Sequence, residues 1–164
     1  MKKQALNPFL PIDVYIPDGE AHVFGDKVYL FGSHDKECGD TYCMLPYEIF
    51  SASIDDLSTW TSKGINYSAQ QDPLSKNGRV YLYAPDCVKG NDNRYYLYYC
   101  LSGYKGKGGY DGPISVAVSD TPDGKYEFYG HVRNKDGSLM KRFVPFDPSV
   151  INDNGTIRLY YGTW

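Results

Sequence analysis

Short apolar segments separated by polar turns recur along the whole chain, and their alternation predicts β-strands. A strand pair is predicted over residues 20–31 with its turn at Gly25-Asp26, and two further strands are predicted at 47–53 and 57–65. Four antiparallel strands in chain order are typical of one blade of a β-propeller. Since no segment keeps a helical period, almost no helix is expected.

The same order of strands then returns. Strands are predicted at residues 80–88, 95–101, 114–119 and 126–130, and a third hairpin begins near residue 146. Each of the three units opens with an aspartate, Asp18, Asp86 or Asp147, and a leucine follows in the second strand at nearly constant spacing. Such a repeat indicates a stacked or closed array of small sheets. In a radial array, we expect the three carboxylates to meet in one place.

Composition and charge narrow the function. The 164 residues suffice for one domain with a core, and aromatic residues are frequent at 16%, because 17 of them are tyrosines. Tyrosine favours strands and also occurs in sugar-binding sites. The net charge of −3 and the absence of any basic run longer than a pair argue against nucleic-acid binding. No apolar stretch has the length of a membrane span, so no membrane partner is expected.

The N-terminus and the cysteines indicate the cellular compartment in which the protein is expected. Lys2 and Lys3 are followed by no apolar segment, so we expect a cytoplasmic protein, or a secreted or periplasmic one if a signal peptide was removed. The four cysteines form no CxxC pair and have no histidine at metal-site spacing, which predicts free thiols. Cys38 and Cys43 would close a small loop if they were oxidised.

Several segments, taken in order, resemble the glycoside hydrolases of family 43. Asn7-Pro8 followed by Pro17-Asp18, and then residues 25–33, resemble the opening of these enzymes. Residues 83–86 (Tyr-Ala-Pro-Asp) are similar to the family's Trp-Ala-Pro-Asp element, and residues 146–149 (Phe-Asp-Pro-Ser) match its third-blade motif. Residues 114–124 are similar to the outer strand and turn of its second blade. The resemblance covers essentially the whole chain.

The resemblance implies an all-β fold, a five-bladed β-propeller, of which this chain would supply about the first two and a half four-stranded blades. Blade 1 would cover about residues 18–66, blade 2 about 79–132 and the start of blade 3 about 143–164, all within one catalytic domain. Members of the family hydrolyse β-xylosides, α-L-arabinofuranosides and related plant saccharides with inversion. The expected partners are therefore an oligo- or polysaccharide and the remainder of the propeller.

The resemblance also assigns roles. Asp18 would be the general base, and Asp147 would tune the pKa of the general acid and orient the substrate. The acid itself would be a glutamate beyond this chain, so the 164 residues alone are expected to be inactive. Asp18 is followed by Gly-Glu where the family usually has Pro-Ser, which leaves Glu20 as a rival for the base. No cofactor is predicted; a structural cation at the axis is compatible with the family, without a ligand set that the sequence identifies.

Each candidate residue has a structural alternative. Pro-Asp-Gly is itself a turn sequence, and an aspartate before proline is often only a turn former, which would explain Asp18 and Asp147 without chemistry. Asp86 would either contact substrate or join strand ends through backbone N–H groups. The remaining substrate-binding candidates are alternatively core or solvated residues: Tyr83 (where the family usually has Trp), Phe146, His34 and Trp164.

Two functions from other classes fit the same pattern. A non-catalytic carbohydrate-binding propeller would keep the aromatic pocket and lack the downstream acid. A split-chain assembly piece would complete its propeller with another chain, and its mass would then depend on concentration.

Overall fold

The computed structural model describes residues 2–103, 110 and 112–163, and within these ranges the chain is built from ten strands in three antiparallel sheets. Sheet 1 contains β1 (Glu20–Phe24), β2 (Lys27–Phe31), β3 (Tyr47–Ser53) and β4 (Asp56–Tyr67). Sheet 2 contains β5 (Arg79–Lys89), β6 (Tyr95–Gly103), β7 (Ser115–Ser119) and β8 (Glu127–His131). Sheet 3 contains β9 (Pro145–Asp153) and β10 (Thr156–Thr163). The predicted all-β class and its four-stranded sheets are confirmed.

Strand order follows chain order in both four-stranded sheets, as predicted for blade-like units. In the part of the chain that the structure describes, the helical segments are two short 3₁₀ turns, Ala69–Gln71 and Pro73–Asn77, in the connection between sheets 1 and 2. Within the described ranges, neither segment has the length or the apolar run needed to cross a bilayer.

Tight turns fix the hairpin registers. In sheet 1, Phe24 pairs with Lys27 across Gly25-Asp26, and in sheet 3 Asp153 pairs with Thr156 across Asn154-Gly155. Asn154 (φ 50°) and Gly155 (φ 89°) both adopt the left-handed conformation that a type I′ hairpin turn requires. The β5–β6 hairpin has a longer loop, since Lys89 pairs with Tyr95.

The core lies between sheets 1 and 2 and is unusually rich in tyrosine. Tyr47, Tyr67, Tyr99 and Tyr126 are each at most 1% exposed. Their hydroxyls all have hydrogen-bond partners: Tyr47 Oη donates to the Tyr83 carbonyl at 3.0 Å, and the Tyr67 and Tyr99 hydroxyls lie 2.7 Å apart. Tyrosine can therefore contribute large buried rings here without the cost of an unpaired polar atom. The high tyrosine count thus reflects packing at these positions.

A fully buried carboxylate completes this core. Asp72 accepts hydrogen bonds from Tyr99 Oη at 2.7 Å, from the Leu74 amide at 2.8 Å and from His131 Nε2 at 3.3 Å. Burial by itself would raise the pKa of Asp72, but these hydrogen bonds outweigh it and lower the pKa below its ordinary value. Through these contacts the Asp72 carboxylate connects the second 3₁₀ segment (Pro73–Asn77) to β6 and β8.

The first strands of the three sheets lie side by side: β5 contacts β1 on one side and β9 on the other. The far ends of sheets 2 and 3 diverge and leave an open groove of about 830 Å³, lined partly by Phe128, Ile157 and Leu159. Strand β10, which pairs only with β9 among the described strands, exposes Tyr160 and Tyr161.

The cysteines are free thiols, as predicted. Cys38 is exposed, whereas Cys43, Cys87 and Cys100 are at most 2% exposed. Burial raises the pKa of the Cys43 and Cys100 thiols to about 12 and that of Cys87 further still. We therefore expect iodoacetamide at pH 8 to label Cys38 alone among the four, because only a thiolate in contact with solvent reacts.

Peptide mass spectrometry of the native, alkylated protein provides the measurement, and labelling of all four residues in urea provides the control. Rapid labelling of Cys87 in the folded protein would contradict the burial described above.

Candidate active site

Two of the three leading aspartates line one small cavity. Asp18, two residues before the start of β1, and Asp147, on β9, face a space of about 130 Å³. Glu20, Ala84, Pro85 and Pro148 complete its lining. The structure therefore places the proposed base and the proposed modulator together, as the radial arrangement predicted, and it adds the rival Glu20 to the same cavity.

Asp86 is not the counterpart of the other two aspartates, which corrects the sequence alignment of the three units. In sheet 2 the pairing shifts by one residue between Tyr83 and Asp86, and in sheet 3 the same shift follows Phe146. Matching these shifts aligns Tyr83 with Phe146 and Pro85 with Pro148. The residue equivalent to Asp147 is consequently Ala84.

The backbone supports this correspondence. Asp18, Ala84 and Asp147 have φ values of 53°, 39° and 58°, in the left-handed region that residues other than glycine seldom adopt. Aspartate tolerates this conformation better than most residues, whereas at an alanine it is strained. Each of the three units therefore presents one side chain from a left-handed residue, which lies before β1 in the first unit, within β5 in the second and within β9 in the third.

Ser33, which was absent from the sequence candidates, orients the Asp18 carboxylate. Its hydroxyl is buried, accepts the Ala84 N–H at 2.8 Å and donates to Asp18 Oδ2 at 3.3 Å. Because sheet 2 supplies the N–H, the serine proton is directed towards Asp18. Extending the hairpin register outward from Phe24 and Lys27 pairs residue 18 with residue 33, so the sequence did contain this signal.

Asp147, like Asp18, is exposed to the cavity, and its carboxyl is partly desolvated. Its backbone N–H donates to the sulfur of buried Cys100. Partial burial, and secondly the negative charge of Asp18, raise the pKa of the Asp147 carboxyl above its ordinary value. The Asp18 carboxylate is therefore close enough to act electrostatically on the Asp147 carboxyl.

Aromatic rings flank Asp147. Phe146 lies 6.0 Å from Tyr83 between ring centroids and 5.0 Å from Tyr110 in an edge-to-face contact. Phe146 and Tyr83 are half-buried, so each combines packing with an accessible surface. The two predicted stacking residues lie together in the structure.

The other predicted substrate-binding residues lie elsewhere. His34 is half-buried, and its Nδ1 donates to the Pro46 carbonyl at 3.2 Å, outside the set of residues that line the cavity. Trp164 falls outside the described residues. Asp86 is 1% exposed, and its oxygens accept the Cys87 N–H at 2.7 Å and the Val150 N–H at 2.6 Å. Asp86 thus makes the backbone contacts that were weighed as its structural alternative.

Glu20, His22 and Asp86 place three potential ligand atoms within 4.8 Å of one another, which raises the question of a cation. However, His22 Nε2 lies 2.5 Å from Asp86 Oδ1, at hydrogen-bonding distance. Two ligands that each bind a cation at about 2.0–2.6 Å ordinarily stand further apart than this. Since both Asp86 oxygens also accept backbone N–H groups, this cluster fits a hydrogen-bonded junction better than a metal site.

Chemically, the cavity offers a carboxylate that a serine orients and a second carboxyl with a raised pKa. An oriented carboxylate can remove a proton from water, and a neighbouring carboxyl can set the charge around it. Hydrolysis of a glycoside by inversion would further require an acid across the scissile bond, about 6.5–9.5 Å from the base.

Comparison with known proteins identifies similar chains. The family model for glycosyl hydrolases of family 43 matches residues 5–164. A xylosidase/arabinosidase from Thermoclostridium stercorarium is 46% identical over 166 residues, which is 99% of this chain and 34% of the relative. Xylosidase/arabinosidase 43A from Humicola insolens is 34% identical over 92% of this chain and 44% of its own length.

The comparison with solved structures likewise finds xylosidases. A β-xylosidase/α-arabinofuranosidase from a compost metagenome, in complex with xylotriose, has a TM-score of 0.71 at 27% identity, over 98% of this chain and 46% of that chain. The β-xylosidase RS223 has a TM-score of 0.68 at 28% identity, over 91% of this chain and 44% of that chain. The chain thus spans between a third and a half of the length of these relatives.

Proposed function

The chain belongs to the glycosyl hydrolases of family 43, and from this premise we propose that the intact protein containing it is an inverting glycosidase. Its substrates would be pentosides, either β-xylosides or α-L-arabinofuranosides. Its fold would be a five-bladed propeller, to which this chain contributes the first two and a half blades. The intact protein would also supply the general-acid glutamate.

Asp18 is the general base of this proposal. It is exposed to the cavity and receives a hydrogen bond from Ser33, which leaves its second oxygen available to a water molecule. The hydrogen bond from Ser33 holds the carboxylate in one orientation, so that its other oxygen can accept a proton from that water. The water then attacks the anomeric carbon on the face opposite the leaving group, and the C–O bond to the leaving group breaks as the acid protonates it.

Asp147 serves as the modulator. Partial burial and the charge of Asp18 raise the pKa of its carboxyl, so the protonation of Asp147 depends on the charges around it in the cavity. In the proposed mechanism it favours the protonated form of the acid and hydrogen-bonds a sugar hydroxyl. Phe146 and Tyr83 would provide the apolar surface against which the sugar ring packs.

One observation carries this proposal: two aspartates from different sheets, 129 residues apart in the chain by their numbering, line the same cavity. A turn-forming role for each would explain its local conformation but not their convergence. A purely sugar-binding propeller would have no need of two coupled carboxylates at one point.

The stereochemistry of the first product tests the proposal. With an aryl β-D-xyloside as substrate, we expect proton NMR in the first minutes to show α-D-xylose, because water attacks from the face opposite the leaving group. An aryl α-L-arabinofuranoside would correspondingly release the β-anomer. An initial β-D-xylose signal would contradict an inverting mechanism, and binding of xylo-oligosaccharides without hydrolysis would favour the non-catalytic alternative.

A further inference from the structure

Asp86 receives hydrogen bonds from all three sheets. Its Oδ1 contacts His22 Nε2 of β1 at 2.5 Å and the Cys87 N–H of β5 at 2.7 Å. Its Oδ2 accepts the Val150 N–H of β9 at 2.6 Å. At 1% exposure, this carboxylate has little surface left for a sugar hydroxyl. Three donors around one buried carboxylate form a strong, geometrically restrictive junction.

The partners of Asp86 stand on the strands that carry the chemistry. His22 follows Asp18 by four residues on β1, and Val150 follows Asp147 by three residues on β9. Hydrogen bonds from these two strands to one carboxylate restrict how far the strands can separate. Asp18 and Asp147 belong to different sheets, so no backbone pairing between their own strands does this.

We propose that Asp86 and His22 are positioning residues that set the distance between Asp18 and Asp147. This inference rests on the proposed function, because it assigns a purpose to the distance. A base displaced by about 1 Å can lose about 10²-fold in rate while the substrate still binds. The junction therefore affects kcat more than KM.

Two substitutions of His22 separate positioning from packing. The His22 ring stacks on Phe24 at 5.8 Å and meets Phe31 edge-on at 6.0 Å. The variant His22→Phe keeps a ring at this position and removes the donor to Asp86. The variant His22→Gln removes the ring and keeps an N–H that can reach Asp86.

In the intact protein, we expect His22→Phe to lower kcat on an aryl xyloside by about tenfold, with KM within about twofold of the wild-type value. His22→Gln is expected to retain kcat within about threefold of the wild type. Asp86→Asn should match or exceed the loss of His22→Phe, because its amide presents N–H groups to N–H donors. Adding His22→Phe to Asp86→Asn should then lower kcat little further, because the two substitutions break the same contact.

If His22→Phe kept the wild-type kcat and His22→Gln lost it, the ring would be needed for packing alone, and the inference would be overturned. Equal losses in both His22 variants would overturn it as well, since only one of them lacks the donor. An inactive wild type would instead refute the proposed function. An active wild type, an inactive Asp18→Ala variant and a fully active His22→Phe variant would refute the positioning role alone.

Discussion

Replacing Asp18 by alanine in the intact protein is expected to lower kcat on an aryl β-xyloside by about 10³-fold, since a positioned general base contributes about 10²–10⁴-fold. Asp18 is exposed to the cavity and is oriented by Ser33, so its removal takes away the base without disturbing the core. Circular dichroism should match the wild type, and the melting temperature should fall by a few degrees at most, because alanine is strained in the left-handed conformation of residue 18.

Azide provides a direct test of the role in this variant. Azide is a nucleophile that needs no deprotonation, and the smaller alanine leaves room for it. We expect azide to restore turnover of an activated aryl xyloside and to yield α-xylosyl azide, the inverted product. Absence of any azide product, combined with loss of substrate binding, would indicate that Asp18 binds the sugar and is not the base.

Variants at neighbouring carboxylates serve as controls for the loss of activity expected in Asp18→Ala. Glu20→Gln changes the rival carboxylate of the same cavity and should retain most activity, whereas Asp13→Ala removes an exposed aspartate of the N-terminal segment and should retain all of it. If Glu20→Gln were inactive and Asp18→Ala active, the assignment of the base would move to Glu20. Asp147→Asn should fall between these extremes, because a modulator assists the chemistry without exchanging protons with water.

Replacing Asp72 by asparagine is expected to destabilise the intact protein by about 3 kcal/mol at neutral pH. Asparagine keeps the shape of the side chain, but it loses the charge and one of the two acceptor oxygens. Tyr99 Oη, the Leu74 amide and His131 Nε2 all point at this carboxylate, so at least one buried group would lose its partner. Urea unfolding of the wild type and the variant gives the difference.

The destabilisation should depend on pH in a defined direction. The pKa of Asp72 is lower in the folded protein than its ordinary value of 3.8. Its contribution is therefore fully present above pH 3.8 and is lost as the pH falls through the lower, folded value. The difference in free energy of unfolding between the wild type and Asp72→Asn should accordingly shrink below about pH 3.8. The control Asp13→Asn, at an exposed aspartate of the N-terminal segment, should remain close to the wild type throughout. A difference in free energy of unfolding that became larger in acid would contradict the lowered pKa of Asp72.

The strands and hairpins were predictable because their signals are local. Alternating apolar residues, together with Gly25-Asp26 and Asn154-Gly155, specify both the strands and their turns within a few residues. The meeting of Asp18 with Asp147 was predictable because a repeat carries positions in one copy to positions in another. The four-stranded sheets followed from the same repeat.

The place of Asp86 was not predictable from the same spacing. The alignment relied on equal hairpins, but the loop between Lys89 and Tyr95 is longer than the two-residue turns of the other units. Aligning the aromatic-X-Pro segments on Pro85 and Pro148 would have placed Ala84 opposite Asp147. The contacts of Ser33 with Ala84 and of His22 with Asp86 depend on how sheets 1 and 2 pack against each other, which no local pattern encodes.

Ala84 occupies the same left-handed position as the two aspartates, but its side chain is a single methyl group. The backbone thus repeats the same left-handed conformation in all three units, and only two of these positions carry a carboxylate. A third carboxylate there would repel the other two and fill a cavity of only about 130 Å³. Because the side chain at position 84 is only a methyl group, the space between Asp18 and Asp147 stays open, and we expect any bulkier residue at this position to fill it.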